Sequence, residues 1–297
     1  MAPLPQTTSW NVNAAEFVPA SHGDRTEYQE EIVHVEHSCV RCREVFYMTR
    51  QGSYVEDAPC VYHWGRLQDG CWYTCCQTPA GSEGCTGAPY HVWSGTVPGI
   101  NGPLEGFVRA QFPRGGVFAL DAEMLYTTKG LELASIVVIA ADGEVVYETL
   151  VKPSSPVVDP NTRFSGITWD DLARASKTLK DVQNDLLNFI GSDTIIVGHG
   201  LENDLRALKL LHEVVVDTCA LYPHSRGLPM RRSLRALAEE FLGRKIQCSS
   251  SGHSAAEDAK AAMDLVLLKV HQEKIHSIAW TARDNMKSVS DRLKLAL

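Results

Sequence analysis

Asp121 and Glu123 stand one residue apart in FALDAEM, residues 118–124, a stretch that is otherwise apolar. Along a strand, side chains i and i+2 project from one face, so the two carboxylates share an environment and Ala122 points the other way. Two like charges so placed are tolerated when a cation sits between them or when water reaches both. A divalent metal ion meets the first condition, and a solvent-facing strand end meets the second. A further acid, Asp204, lies in VGHGLENDLRALKLL, in the first turn of a helix whose apolar face is Leu205, Leu208 and Leu211. There it can compensate the helix dipole or join the first pair. In GHSAAEDAKAAMDL, Ser254 and Glu257 have the S-x-x-E spacing of a capping box, which starts a helix at Ala255. His253 then precedes the cap and Asp258 takes the fourth helical position, the two places that meet in a hydrophobic staple. An imidazole brought to a carboxylate in this way suits proton transfer.

The elements that position these groups follow from apolar periodicity. GVFALDAEM reads as a strand, and LASIVVIAA and EVVYETLVK as a hairpin about Asp142-Gly143. TLKDVQNDLLNFIG is a helix with Thr178 and Asp181 as a capping pair, Leu179, Val182, Leu186 and Ile190 on one face, and Gly191 as its stop. TIIVG and VVVD are short strands; NDLRALKLL, SLRALAEEFLG and AAEDAKAAMDLVLLKVHQ are helices. Three strands followed by alternating helix and strand imply an α/β fold, a mixed five-stranded sheet flanked by helices.

Seven of the nine cysteines fall between residues 39 and 85. The ligand-type residues are Cys39-x2-Cys42, Cys60-x2-His63, the adjacent Cys75 and Cys76, and Cys85-x5-His91, leaving Cys71 over as an ordinary small residue. Eight soft ligands suit two closed tetrahedral zinc sites, with each C-x2-C or C-x2-H supplying a knuckle; the spacings leave open which four share an ion. A weakly periodic stretch of this size would have a poor core without metal. Beyond Arg41, Arg43, Arg50 and Arg66 the module has few basic residues, which favours buttressing over RNA contact.

The chain has 297 residues, 44% apolar and 22% charged, with a formal charge of −8. The acidic start, residues 1–36, contributes −5 of that charge, so basic patches elsewhere are compatible with a nucleic-acid partner. No run approaches the roughly 18 apolar residues of a membrane span, and MAPLPQTTSW lacks a secretory layout, so a soluble intracellular protein is expected. The division expected is an acidic, aperiodic disordered arm at 1–36, a zinc module at 37–95, a Gly/Pro-rich linker at 96–114, the α/β domain at 115–272 and a C-terminal helix at 273–297 packed on the body.

The ordered set D-x-E, helix-start Asp and H-x4-D resembles the DEDDh exonucleases of the RNase H-like fold. It is more narrowly similar to the Rexo-type RNA exonucleases through FALDAEM, YTTKGLEL, TLVKP, NTRFSGIT, VGHGLENDL, VVDT, RRSLRALAEEFL and GHSAAEDA, from about Cys39 to His271. Asn203 departs from the superfamily, where an aromatic commonly precedes this Asp. The resemblance implies a 3′-5′ exoribonuclease that hydrolyses single-stranded RNA ends to nucleoside 5′-monophosphates. Asp121, Glu123, Asp204 and Asp258 would hold two Mg²⁺ or Mn²⁺ ions, and His253 would take the proton of the attacking water. Arg163, Phe164 and Ser165 of NTRFSG, with Met124, are candidates to grip the terminal nucleotide, against a packed turn as the alternative for that loop. CVYHWG and CWYTCC resemble the CHORD type of double-zinc module. SWNVNAAEFVPA, residues 9–20, resembles the motif that docks on the peptide-binding domain of cytoplasmic poly(A)-binding protein, through Asn11, Asn13, Ala14, Glu16, Phe17, Val18 and Pro19, with Trp10 where a leucine is usual. That partner implies the cytoplasm, whereas Rexo-type relatives are often nuclear. A silent RNA- or protein-binding adaptor and a DNA exonuclease are the competing readings.

Overall fold

The computed structural model describes residues 34–95, 104–248 and 252–294, with side chains described as far as residue 274. The segment carrying Trp10, Asn11, Asn13, Ala14, Phe17 and Pro19, residues 96–103 of the Gly/Pro-rich linker and the side chains of the last 23 residues lie outside the described residues. Among the described residues no helix is long and apolar enough to cross a membrane.

The cysteine-rich region is made of short strands. β1 (His34–Ser38) and β2 (Val45–Thr49) form a hairpin. They are followed by β3 (Cys60–Tyr62), a small hairpin of β4 (Leu67–Gln68) and β5 (Trp72–Tyr73), and β6 (Thr86–Ala88), which closes antiparallel on β3. After β7 (Val108–Arg109) the α/β domain begins with the meander β8 (Val117–Thr127), β9 (Gly130–Ala140) and β10 (Val145–Leu150). Then come β11 (Val157–Asp159), α1 (Thr162–Ser165), α2 (Trp169–Arg174), α3 (Leu179–Leu187), β12 (Ile195–Gly198), α4 (Leu201–Ala207), β13 (Leu210–Leu211), β14 (Val215–Asp217), α5 (Thr218–Leu221), α6 (Leu234–Leu242) and α7 (Ala255–Lys294). The small strands β7 and β13 pair in parallel.

The sheet order is β10-β9-β8-β12-β14, antiparallel through β8 and parallel beyond it. This is the mixed five-stranded sheet expected, with one addition: β11 pairs with Tyr126 and Thr127 at the far end of β8. Three residues between prolines carry too short an alternation to be seen as a strand beforehand. Strand alternation sends Ala119, Val137, Ile139 and Val197 toward α6 and α7, and Leu120, Ile136, Val138 and Ile196 toward α3 and α4. Both faces of β8 and β9 are therefore covered, which is why IVVIA, residues 136–140, is apolar throughout. Thr178 and Asp181 form a reciprocal capping box on α3, as Thr168 and Asp171 do on α2. The regular part of α3 ends at Leu187, short of Gly191. Gly191 instead lies so close to the backbone of Phe112 and Arg114 that a Cβ would overlap it. α7 runs unbroken through residues 272–273.

Candidate active site

β9 occupies one edge of β8 from Phe118 to Thr127. On the other edge β12 pairs only as far as Ala119, and β11 begins at Tyr126. Asp121 and Glu123 lie in the gap between them. There the backbone N–H of Ala122 has no strand partner and donates to Asp204 Oδ1 at 3.0 Å, from α4. One hydrogen bond thus satisfies the interrupted ladder and brings the third carboxylate to the first two. The turn from β12 into α4 requires Gly198, where a Cβ would strike Leu201, and Gly200, held at φ 74°. Asp217, at the end of β14, fixes that turn: its carboxylate accepts from the backbone N–H of Gly200 and Leu201 at 3.0 Å each, and of Cys219 at 2.7 Å. The sequence singled out VVDT as a motif but gave Asp217 no role. An acid ending a buried strand was the available signal.

The fourth carboxylate enters from α7. Asp258 is 4% exposed and Asp204 5% exposed. Asp258 Oδ2 accepts from Gln247 Nε2 at 2.8 Å, and Asp258 Oδ1 is buried with no hydrogen-bond partner among the described residues. Gln247 is a second positioning residue the sequence did not reveal, because it reaches Asp258 only through tertiary structure. The helix begins at Ala255 as expected, but the capping box is half made: Glu257 N–H donates to Ser254 Oγ at 3.4 Å, while the Glu257 carboxylate accepts from Gln247 N–H at 2.9 Å.

Burial raises the proton affinity of all four acids, and repulsion within the cluster adds to it at Asp121 and Glu123. Asp121 is driven well above the usual carboxylate range by desolvation and then by Asp204, Glu123 and Asp258. Glu123 is pushed to about 8 by desolvation, Asp258 and Asp204. Asp204 rises to about 7 through desolvation, against the bond from Ala122 N–H. Asp258 is raised by burial, opposed by Gln247 and His253. Buried carboxylates that repel one another, one with an oxygen that has no partner among the described residues, are the donor type a hard divalent cation takes. The site fits such an ion.

The sign of the pH effect follows. Unfolded carboxylates titrate near 4, so between about pH 4 and 8 the folded, metal-free protein binds more protons and its stability falls as pH rises. Thermal melts should therefore show Mg²⁺ or Mn²⁺ raising Tm more at about pH 8 than at about pH 5.5. An equal rise at both would place the ion away from these acids.

His253 lies beside Asp258, with Nδ1 3.7 Å from Oδ2, and lines a cleft of 320 Å³ together with Glu123, Glu148 and Asp171. Its backbone N–H donates to the carbonyl of Phe164 at 3.0 Å. Gly252, at φ 110°, abuts Gly166 so closely that a Cβ on Gly252 would overlap the Gly166 backbone. The NTRFSG loop is therefore the wall that holds His253. Within it, Ser165 is buried, and its hydroxyl donates to Pro160 O at 2.8 Å and accepts from Ile167 N–H at 3.1 Å. Ser165 is thus engaged in the turn itself, which is the packed alternative for that residue. Arg163 and Phe164 project outward, and Met124, after a β-bulge that follows Glu123, packs toward α3 and α4.

The cysteine-rich region holds that same loop from the other side. Arg41, inside the Cys39–Cys42 turn, donates to Asp159 Oδ2 at 2.7 Å and to Asn161 Oδ1 at 3.5 Å, between the rings of Tyr62 and Tyr126. Asn161 is the left-handed residue from which α1 starts.

Two groups of ligand atoms gather here, Cys39, Cys42, Cys60 and His91, and His63, Cys75, Cys76 and Cys85, each with its atoms within 4.8 Å of one another. The Cys39–Cys60 and Cys75–Cys76 sulfur separations are 3.7 and 3.8 Å. Thiolates about 2.3 Å from a shared tetrahedral zinc would be about 3.8 Å apart. Both groups fit zinc. Cys71 belongs to neither and is exposed. The expectation that Cys60-x2-His63 forms a knuckle on one ion is corrected: Cys60 joins the first group and His63 the second. Cys60 begins a strand, and residues three apart on a strand face opposite ways, whereas Cys39-x2-Cys42 spans a turn. One step past the Tyr62–Thr86 pair of the β3–β6 ladder, His63 meets Cys85 of its own group.

The exonuclease family profile matches residues 118–266. The chain is similar to Exonuclease GOR of Pan troglodytes, 46% identical over 245 residues, which cover 79% of the chain and 35% of that protein. It is equally similar to RNA exonuclease 1 homolog of Homo sapiens, 46% identical over 245 residues, covering 80% of the chain and 20% of that protein. The chain thus spans about a third or less of these relatives. The Neurospora crassa Pan2 catalytic unit, containing protease and nuclease domains, superposes with a TM-score of 0.50 at 22% identity, over 61% of the chain and 32% of that structure, a likeness of fold.

Proposed function

The chain belongs to the exonuclease family, and on that footing we propose that it is a divalent-metal-dependent 3′-5′ exoribonuclease releasing nucleoside 5′-monophosphates from single-stranded RNA. The observation that carries this reading is the bond that ties Asp204 to the strand between Asp121 and Glu123, together with Asp258 beside His253, the Asp258 Oδ1 being buried with no partner among the described residues. Relatives named as RNA exonucleases support RNA as the polymer.

The four carboxylates would hold two Mg²⁺ or Mn²⁺ ions. When bound, such ions acidify water and neutralise charge on the phosphate and the departing oxygen. The protein's own part is proton handling and positioning. With His253 Nδ1 turned toward Asp258, Nε2 is the nitrogen left to accept the proton of the attacking water. The negative charge of Asp258 then steadies the imidazolium. Water oxygen bonds to phosphorus as the bond to the 3′ oxygen breaks; that oxygen takes a proton from solvent and stays with the shortened chain. Arg163 and Phe164, at the outer side of the wall that carries His253, would hold the RNA strand as its 3′ end enters the cleft. Zinc in the two Cys/His groups stabilises the module that anchors this wall through Arg41. Residues 9–20 dock on cytoplasmic poly(A)-binding protein and place the enzyme on tailed messages in the cytoplasm.

The test is incubation of 5′-labelled single-stranded RNA and DNA with Mg²⁺, Mn²⁺ or neither. RNA should shorten stepwise only with added metal, releasing 5′-monophosphates. His253→Ala should slow this by about 10²- to 10⁴-fold while the metal-induced rise in Tm persists. Metal-independent shortening would overturn the mechanism, and equal shortening of DNA the choice of sugar.

A further inference from the structure

Trp64, one residue after the zinc ligand His63, is 37% exposed, and Phe164 across from it is 40% exposed. Their ring centroids are 6.5 Å apart, edge to face at 68°. The Arg163 guanidinium lies over the Trp64 ring, 4.4 Å from its centroid. Among the described residues Arg163 has no carboxylate within salt-bridge distance, unlike Arg41, Arg109, Arg174, Arg231 and Arg232. An exposed indole, an exposed phenyl ring and an unneutralised planar cation thus form one cluster, built from two regions far apart in the chain. The Phe164 carbonyl that accepts from His253 N–H fixes the cluster at the rim of the acid cleft.

Isolated exposed aromatics are common on protein surfaces. An indole paired with a guanidinium that no acid neutralises, at the mouth of a phosphodiesterase cleft, combines the two features that hold single strands: a π-face for a base and a positive charge for its phosphate. The charge complementarity selects RNA over a protein ligand. The cleft itself is lined by Glu123, Glu148 and Asp171 and by no lysine or arginine.

We infer that Trp64 of the cysteine-rich module, with Arg163 and Phe164, forms a stacking platform for a base of single-stranded RNA on the 5′ side of the two nucleotides that flank the cleaved bond. The inference rests on the exoribonuclease reading, and it makes the module part of the substrate path as well as a support. A dinucleotide fills the hydrolytic site and ends short of the platform; longer RNA reaches it.

The experiment uses the full chain, a dinucleotide and a single-stranded RNA of about twelve nucleotides, a length that covers a typical single-strand site. Wild type, Trp64→Ala, Trp64→Phe and Trp72→Ala are compared, Trp72 being 52% exposed in the same module and outside the cluster. Zinc content confirms that each variant retains its metal. Trp64→Ala should raise KM for the longer RNA by about tenfold, leave kcat/KM for the dinucleotide unchanged, and be largely restored by Trp64→Phe. Trp72→Ala should match wild type. Equilibrium binding of the longer RNA without added Mg²⁺ or Mn²⁺ should show the same tenfold loss, and it reads the platform even if wild type hydrolyses nothing. Unchanged binding by Trp64→Ala, or an equal loss on the dinucleotide, overturns the platform. Absent hydrolysis with tenfold weaker binding would leave the platform standing and remove the nuclease reading.

Discussion

Asp121→Asn is expected to reduce RNA hydrolysis by on the order of 10⁴-fold while making the metal-free protein more stable. Both effects come from the same cause. Asp121 carries the most strongly opposed charge in the site, faced by Asp204, Glu123 and Asp258. With cations in place that charge is a ligand; without them it is a buried repulsion. The amide keeps the shape, removes one negative charge, and should stabilise the apo protein by on the order of 1 kcal/mol. Melting without metal and hydrolysis with Mg²⁺ or Mn²⁺ read the two halves separately. Activity within tenfold of wild type would show that this carboxylate holds no essential ion. Lower apo stability would show that the four charges are relieved by some group other than a cation.

The second large effect concerns the interleaved Cys/His groups. Cys60→Ala and His63→Ala should each cost one of two zinc ions, and the double variant should cost both, because the residues belong to different groups. Had C-x2-H acted as a knuckle, the double variant would lose only one. Metal analysis of purified protein decides between zero and one. Structural zinc contributes apparent folding free energies on the order of 10 kcal/mol in small modules, so the double variant should also lose the module's protected amides in hydrogen exchange.

What could be read along the chain was what local geometry dictates. Asp121 and Glu123 share a face because strands have a period of two. The Thr178–Asp181 cap and the helix start at Ala255 follow from spacing alone. His253 and Asp258 are neighbours because a helix cap brings them together. Contacts that depend on the tertiary fold were silent. Gln247 meets Asp258 from outside its helix, Asp217 clamps the β12–α4 turn from an adjacent strand, and Arg41 reaches Asp159 from 118 residues away. The C-x2-H spacing was ambiguous for another reason: the same three-residue step chelates one ion in a turn and splits between two on a strand. Ser165 shows the reverse case, a hydroxyl suggestive beside Arg163 and Phe164 yet occupied by its own loop.

Arg41 sits in the Cys39–Cys42 turn and grips Asp159 and Asn161, the residues from which the wall of the cleft departs. A fragment cut to begin after residue 103 would keep every acid yet lose the clasp on that wall, leaving Tyr126 and Asp159 bare to water. Its imidazole would wander, and the shortened protein would bind metal well but turn over slowly. A boundary that suggests itself along the chain is in mechanical terms the middle of a single working part.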